Sequence, residues 1–124
     1  MKHPLTRRQT RALFKSIQHW KRIAKGKAYS NGTETCALCQ EFLCSEFYGD
    51  DCRKCPVAEK TGEEYCDGTP FQEFTKVAHT DEAGFRWALG KPAQAAAEKE
   101  VKFLKSIWKD RASMSLREYA DLCD

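Results

Sequence analysis

The chain has 124 residues, 41% hydrophobic and 31% charged, with seven Gly and four Pro; this excludes a wholly disordered polypeptide and fits one small domain. Its net charge of +3 conceals a division: residues 1–30 hold nine Lys and Arg and no acid, residues 31–70 hold three basic and nine acidic residues, and residues 71–124 balance at nine and nine. No stretch approaches the roughly 18 to 20 apolar residues of a membrane span, and MKHPLTRRQTRALF lacks the apolar run of a secretory signal, so a reducing cytosol is the expected setting.

The first predicted element is an amphipathic helix over Thr10 to Lys25. Leu13, Ile17, Trp20 and Ala24 recur on one face, with Phe14 and Ile23 beside them, while Arg7, Arg8, Arg11, Lys15, Arg22 and Lys25 project from the other. Gly26 and then Ser30-Asn31-Gly32 stop it. From Thr33 to Gly68 no period of 3.6 or 2 is sustained, so this segment needs a ligand or metal to organise it.

Thr69-Pro70-Phe71-Gln72 reads as a helix start, with Thr69 as N-cap, Pro70 at the first helical position and Gln72 placed for a capping box. Phe71, Phe74 and Ala78 then face one way. A second short helix is expected after Thr80, through Phe85, Trp87 and Leu89, ending at Gly90, although Gly84 weakens it. The strongest helix covers Pro92 to Arg111: Ala97, Val101, Leu104 and Trp108 form a stripe, and Glu98 precedes Lys102 in the favourable order. Ser115 with Glu118 suits a capping box for a last helix, Leu116 to Leu122.

Five of the seven cysteines lie in CALCQEFLCSEFYGDDCRKC. Cys36-x2-Cys39 and Cys52-x2-Cys55 are two knuckles of the kind that turn four thiolates onto one tetrahedral zinc ion. Cys66, beside the Asp67-Gly68 turn, is the preferred substitute for a knuckle member, so the candidate ligands are Cys36, Cys39, Cys52, Cys55 and Cys66. An iron–sulfur cluster is the second reading, because Cys55-Pro56 matches the ending of some cluster-binding runs; a thiol–disulfide couple and structural disulfides come after it. Cys44 and Cys123 read as small buried residues or free thiols. A zinc ion closed by four thiolates is scaffold and not catalyst, and a binding free energy of roughly 10 to 16 kcal/mol would organise the aperiodic segment.

Catalysis finds little support. His3, His19 and His79 are the only histidines; His3 and His19 read as surface or packing residues, and His79 as a helix C-terminal residue or a metal ligand. No Ser-His-Asp order, Gly-rich phosphate loop or His-Glu-x-x-His helix occurs, and Asp50-Asp51 reads as a solvated pair before a cation site. Arg7, Arg8, Arg11, Lys15, Lys21, Arg22 and Lys25 could bind phosphates, or could lean toward the acidic middle segment while the apolar face packs. An organelle transit peptide fits less well, since the helix carries core-grade aromatics.

Taken together, Cys36-Ala37-Leu38-Cys39, Cys52-Arg53-Lys54-Cys55-Pro56-Val57, Thr61-Gly62 and Cys66-Asp67-Gly68-Thr69-Pro70-Phe71 resemble the pattern of small cysteine-cluster proteins of tailed bacteriophages. Trp20 in a preceding helix and AEKEVKFLKSIWK in a following one are similar too, so the likeness covers some two-thirds of the chain. It supports the same five ligand candidates, leaves Cys44 outside, and implies the cytoplasm of an infected bacterium.

The expected architecture is a mainly α, small single domain: a basic amphipathic helix in 1–32, a loop-rich zinc-binding module in 33–68 and a helical part in 69–124. The expected function is a zinc-stabilised phage accessory protein that binds a host or phage protein or a protein–nucleic-acid complex, inhibition of a defence system included. Direct nucleic-acid binding through the basic helix is the alternative, and no membrane is involved.

Overall fold

The computed structural model describes Leu5 and residues 7–30, 69–112 and 115–122; these are mainly helical. Among them no helix is long and apolar enough to cross a membrane. Helix α1 runs Arg7–Ala24 and buries Ala12, Leu13, Ser16, Ile17, Trp20 and Ile23, the stripe that the 3.6-residue period dictates. It stops at Gly26, whose φ of +72° is the left-handed conformation glycine adopts without a Cβ penalty. There the Gly26 amide donates to the Ile23 carbonyl and the Lys27 amide to the Arg22 carbonyl, each at 2.9 Å, a Schellman closure.

The chain continues into strand β1, Tyr29–Ser30. Helix α2, Pro70–Val77, starts as its sequence signals: Thr69 Oγ1 accepts from the Phe71 amide at 3.2 Å and Pro70 occupies the first turn. Helix α3 covers Lys91–Arg111 and buries Ala93, Ala96, Ala97, Val101, Leu104, Ile107 and Trp108 along its length. The short helix α4, Leu116–Leu122, begins where Ser115 Oγ accepts from the Glu118 amide at 3.1 Å, the capping role its serine predicts.

The segment after Thr80 corrects the expected short helix. It is a β-hairpin of β2, His79–Thr80, and β3, Arg86–Trp87, with β3 central in an antiparallel sheet ordered β1-β3-β2. Tyr29 and His79 both pair with Trp87, and Ser30 and Thr80 with Arg86. The turn decides the matter. Gly84 N donates to Asp81 O at 3.0 Å, Asp81 N donates to Phe85 O at 2.9 Å, and Gly84 sits at φ +88°, a three-residue loop closed by a left-handed glycine. Asp81 Oδ1 accepts from the Ala83 and Phe85 amides, each at 3.0 Å, and Oδ2 from Trp87 Nε1 at 2.9 Å. Chiefly the Trp87 indole, with those amides, holds the Asp81 carboxyl below its usual range. A side chain that binds its own turn this well offers the backbone an alternative to helix.

Helices α1 and α2 both pack on α3. Trp20 stands edge-on to Phe74, with centroids 5.0 Å apart, and to Phe71, at 5.8 Å, a geometry aromatic quadrupoles favour. At the other end of α1, Phe14 meets Tyr119 of α4 at 4.9 Å, and Trp108 meets the same tyrosine at 5.2 Å. The Lys99 to Glu73 ion pair between α3 and α2, 3.1 Å long, is more than half exposed and contributes at most about 1 kcal/mol. Apolar packing therefore dominates. Phe74 is fully buried, so Phe74→Ala is expected to cost about 3 to 5 kcal/mol, read as a lower midpoint in denaturant unfolding followed by helical circular dichroism; an unchanged midpoint would deny Phe74 its place in the core.

Candidate binding surface

The orientation of α1 follows from its buried stripe. At 100° per residue, Arg7, Arg8, Arg11, Lys15, Lys21, Arg22 and Lys25 fall within an arc of about 140° centred opposite that stripe. Six of the seven are exposed and Lys21, at the edge of the arc, is half-buried. Among the described residues, none of Arg7, Arg11, Lys15, Lys21, Arg22 and Lys25 is in a salt bridge with a carboxylate.

Lys21 reveals a neighbour that the sequence alone does not disclose. Its ammonium is held below the usual lysine range first by burial and then by the charges of Lys105 and Lys25. Lys105 belongs to α3, where Lys102, Lys105 and Lys109 share an exposed row at i, i+3 and i+7. Packing of α3 on α1 thus carries a second helix's cation to the edge of the basic face. The spacing of that row is visible in the sequence, but its meeting with Lys21 depends on tertiary packing. Lys105 also borders an open groove of about 500 Å³ at the α3–α4 junction, together with Trp108, Lys109, Ala112, Ser115, Leu116 and Glu118; Glu118 makes its charge mixed.

Tyr29, Phe85 and Trp87 form a cluster on one face of the sheet. The Tyr29 and Phe85 rings stack at 4.2 Å, and Trp87 tilts against Tyr29 at 5.2 Å. With the Asp81 to Trp87 hydrogen bond, these contacts hold together strands of only two residues each. All three rings are only half-buried.

Cys36, Cys39, Cys52, Cys55 and Cys66 lie outside the described residues, as do Cys44, Cys123, Asp50 and Asp51. Among the described residues, no three His, Cys, Asp or Glu side chains gather to hold a metal. His79 is exposed and opens β2, so it is not the helix C-terminal residue that was one of its expected roles. His19, expected in a surface or packing role, is half-buried, with its Nε2 buried and without a hydrogen-bond partner, a detail no sequence signal announces. Comparison with protein-family models, with curated proteins and with solved structures found no match.

The crowding of Lys21 is directly measurable. In an NMR titration of lysine side chains, the Lys21 midpoint is expected below the ordinary lysine range. Lys105→Gln should raise its midpoint part of the way to the ordinary value, burial and the Lys25 charge accounting for the rest; a midpoint indifferent to Lys105 would remove that residue from the surface.

Proposed function

We propose that this chain acts by binding, and that a nucleic-acid backbone is the partner its basic face fits best. The observation that carries the reading is the company Lys21 keeps: Lys25 and Lys105, like charges on two helices, with no carboxylate against any of the three among the described residues. Like charges held together raise the local potential and gather counterions, and a polyanion that displaces those counterions gains the entropy of their release. The row from Arg7 to Lys25 runs along an 18-residue helix, about 27 Å at 1.5 Å per residue. That length passes several phosphates of a duplex, which carries one charge per about 1.7 Å of axis.

A second reading, a phage accessory factor that occupies an acidic surface of a host protein, or of a protein–nucleic-acid complex, in an infected cytoplasm, draws on the charge division of the sequence and uses the same face. In both readings zinc is the metal assigned to Cys36, Cys39, Cys52, Cys55 and Cys66, and its part is to fold their segment and not to catalyse.

Fluorescence anisotropy with a labelled duplex and a labelled single strand, between about 50 and 200 mM salt, separates the two. The nucleic-acid reading expects log K to fall linearly with log salt. Changing Lys21, Lys25 and Lys105 together to Gln should then reduce the slope on duplex by about 2 to 3, near 0.9 for each phosphate no longer neutralised. Absence of binding at the low-salt end, or a slope untouched by the three changes, would refute this reading and leave the acidic protein surface as the partner.

A further inference from the structure

The small sheet has two unlike faces. Tyr29 and His79 both lie opposite Trp87 across the antiparallel pairs, and the side chains of such partners stand on the same side. Phe85, two residues before Trp87, joins them. The other side carries Ser30 and, one step past β3, Ala88, both buried. The core therefore lies under that side, and the aromatic side faces away from it. Tyr29, Phe85 and Trp87 are only half-buried and His79 is exposed. Single exposed apolar groups are ordinary, but a contiguous row of partly open rings marks a surface for contact with another molecule.

Ring geometry and the charges around it narrow the kind of molecule. Tyr29 stacks on Phe85 at 4.2 Å but meets Trp87 at an interplanar angle of 53°, so it does not lie flat over the indole. Trp87 Nε1 donates to Asp81 Oδ2 at 2.9 Å, which fixes the indole before any ligand arrives and lowers the ordering cost of binding. A Cβ added at Gly26 would stand 3.7 Å from the Ala88 carbonyl oxygen. The turn that ends α1 thus lies against the chain just past β3, and the exposed Lys25 and Lys27 flank it. Asp81 and Glu82 occupy the hairpin loop, at the other end of β3. Cations at one end of the rings and carboxylates at the other suit a ligand whose flat groups stack while its anions stay on the lysine side. Unpaired nucleotides have this make-up, since every base has a π face and carries a phosphate beside it. We propose that the aromatic face of the sheet takes unpaired bases of a single-stranded nucleic acid, stacked on Tyr29, Phe85, Trp87 and His79, with Lys25 and Lys27 holding the adjoining phosphates. Lys25 also belongs to the basic face of α1, so the rings continue that face; the inference deepens the nucleic-acid reading and rests on it.

The test compares two ligands of equal length and charge on the full-length protein at one low salt concentration: a labelled thymidine strand and a labelled abasic strand, which keeps the phosphates and lacks the bases. Stacking expects the thymidine strand to bind more tightly by roughly 5- to 150-fold for each base held. In the NMR spectrum of the unaltered protein, the Trp87 indole N–H and the Tyr29 and Phe85 ring signals should shift with the thymidine strand and stay still with the abasic strand or a duplex, whose bases are already stacked on one another. Phe85→Leu, which keeps an apolar group against Tyr29, should weaken the thymidine strand by about 5-fold or more and leave the abasic strand as it was. No binding of either strand overturns the nucleic-acid reading and this inference with it. Equal affinity for the two strands, or a preference for bases while the three rings stay silent, would overturn the stacking face and leave the basic face of α1 standing. The ring signals of the unaltered protein decide even if Phe85→Leu does not fold.

Discussion

Trp20 has to leave water, and the way it does so arranges the rest of the described structure. Its indole lies edge-on to Phe74 and Phe71, and with Leu13, Ile17 and Ile23 it seals α1 against the core. Because a helix has only one rotational setting that buries such a stripe, the opposite arc is turned to solvent. Burial of a few large apolar side chains, each stabilising by about 1.5 to 3 kcal/mol, outweighs the mutual repulsion of exposed cations, which water and salt screen. The basic face is thus held rigidly by forces that owe nothing to its charge. Lys105 joins it for the same reason: α3 turns its own apolar side toward α1, and its lysine row is left outside.

The small sheet works as a clasp at the end of α1. Gly26 ends the helix, and β1 then pairs with β3. The hairpin that supplies β3 is held by Asp81, which ties two turn amides and the Trp87 indole to one carboxylate. Strands this short would not persist alone; the stack of Tyr29 on Phe85 and the carboxylate anchor substitute for length.

The helices are legible in the sequence because their signals are local. A 3.6-residue period, Thr69 with Pro70, and Ser115 each act within one or two turns, and the structure starts α2 and α4 where those residues sit. The hairpin reads wrongly as a helix although Phe85, Trp87 and Leu89 recur at the two-residue step of a strand; the short run gives little period to weigh, and the deciding feature, an aspartate that binds its own turn, becomes plain only in three dimensions. Of the binding surface, the α1 cations are legible and Lys105 is not, since its place beside Lys21 depends on how two helices pack. The buried nitrogen of His19 is beyond reach for a related reason, because a sequence does not tell what covers a face. The five candidate cysteines lie outside the described residues, and reading them as ligands rests on spacing.

The most direct test of a cation face fixed by the core and used for binding is to map contact on the protein itself. Backbone and lysine side-chain NMR signals would be followed as a short nucleic-acid duplex is added to the full-length protein at low salt. The account predicts changes concentrated on Arg11, Lys15, Lys21, Arg22, Lys25 and Lys105, with the Asp81 turn and the α2 surface quiet. Changes centred on those quiet elements, or spread evenly over all lysines, would contradict it.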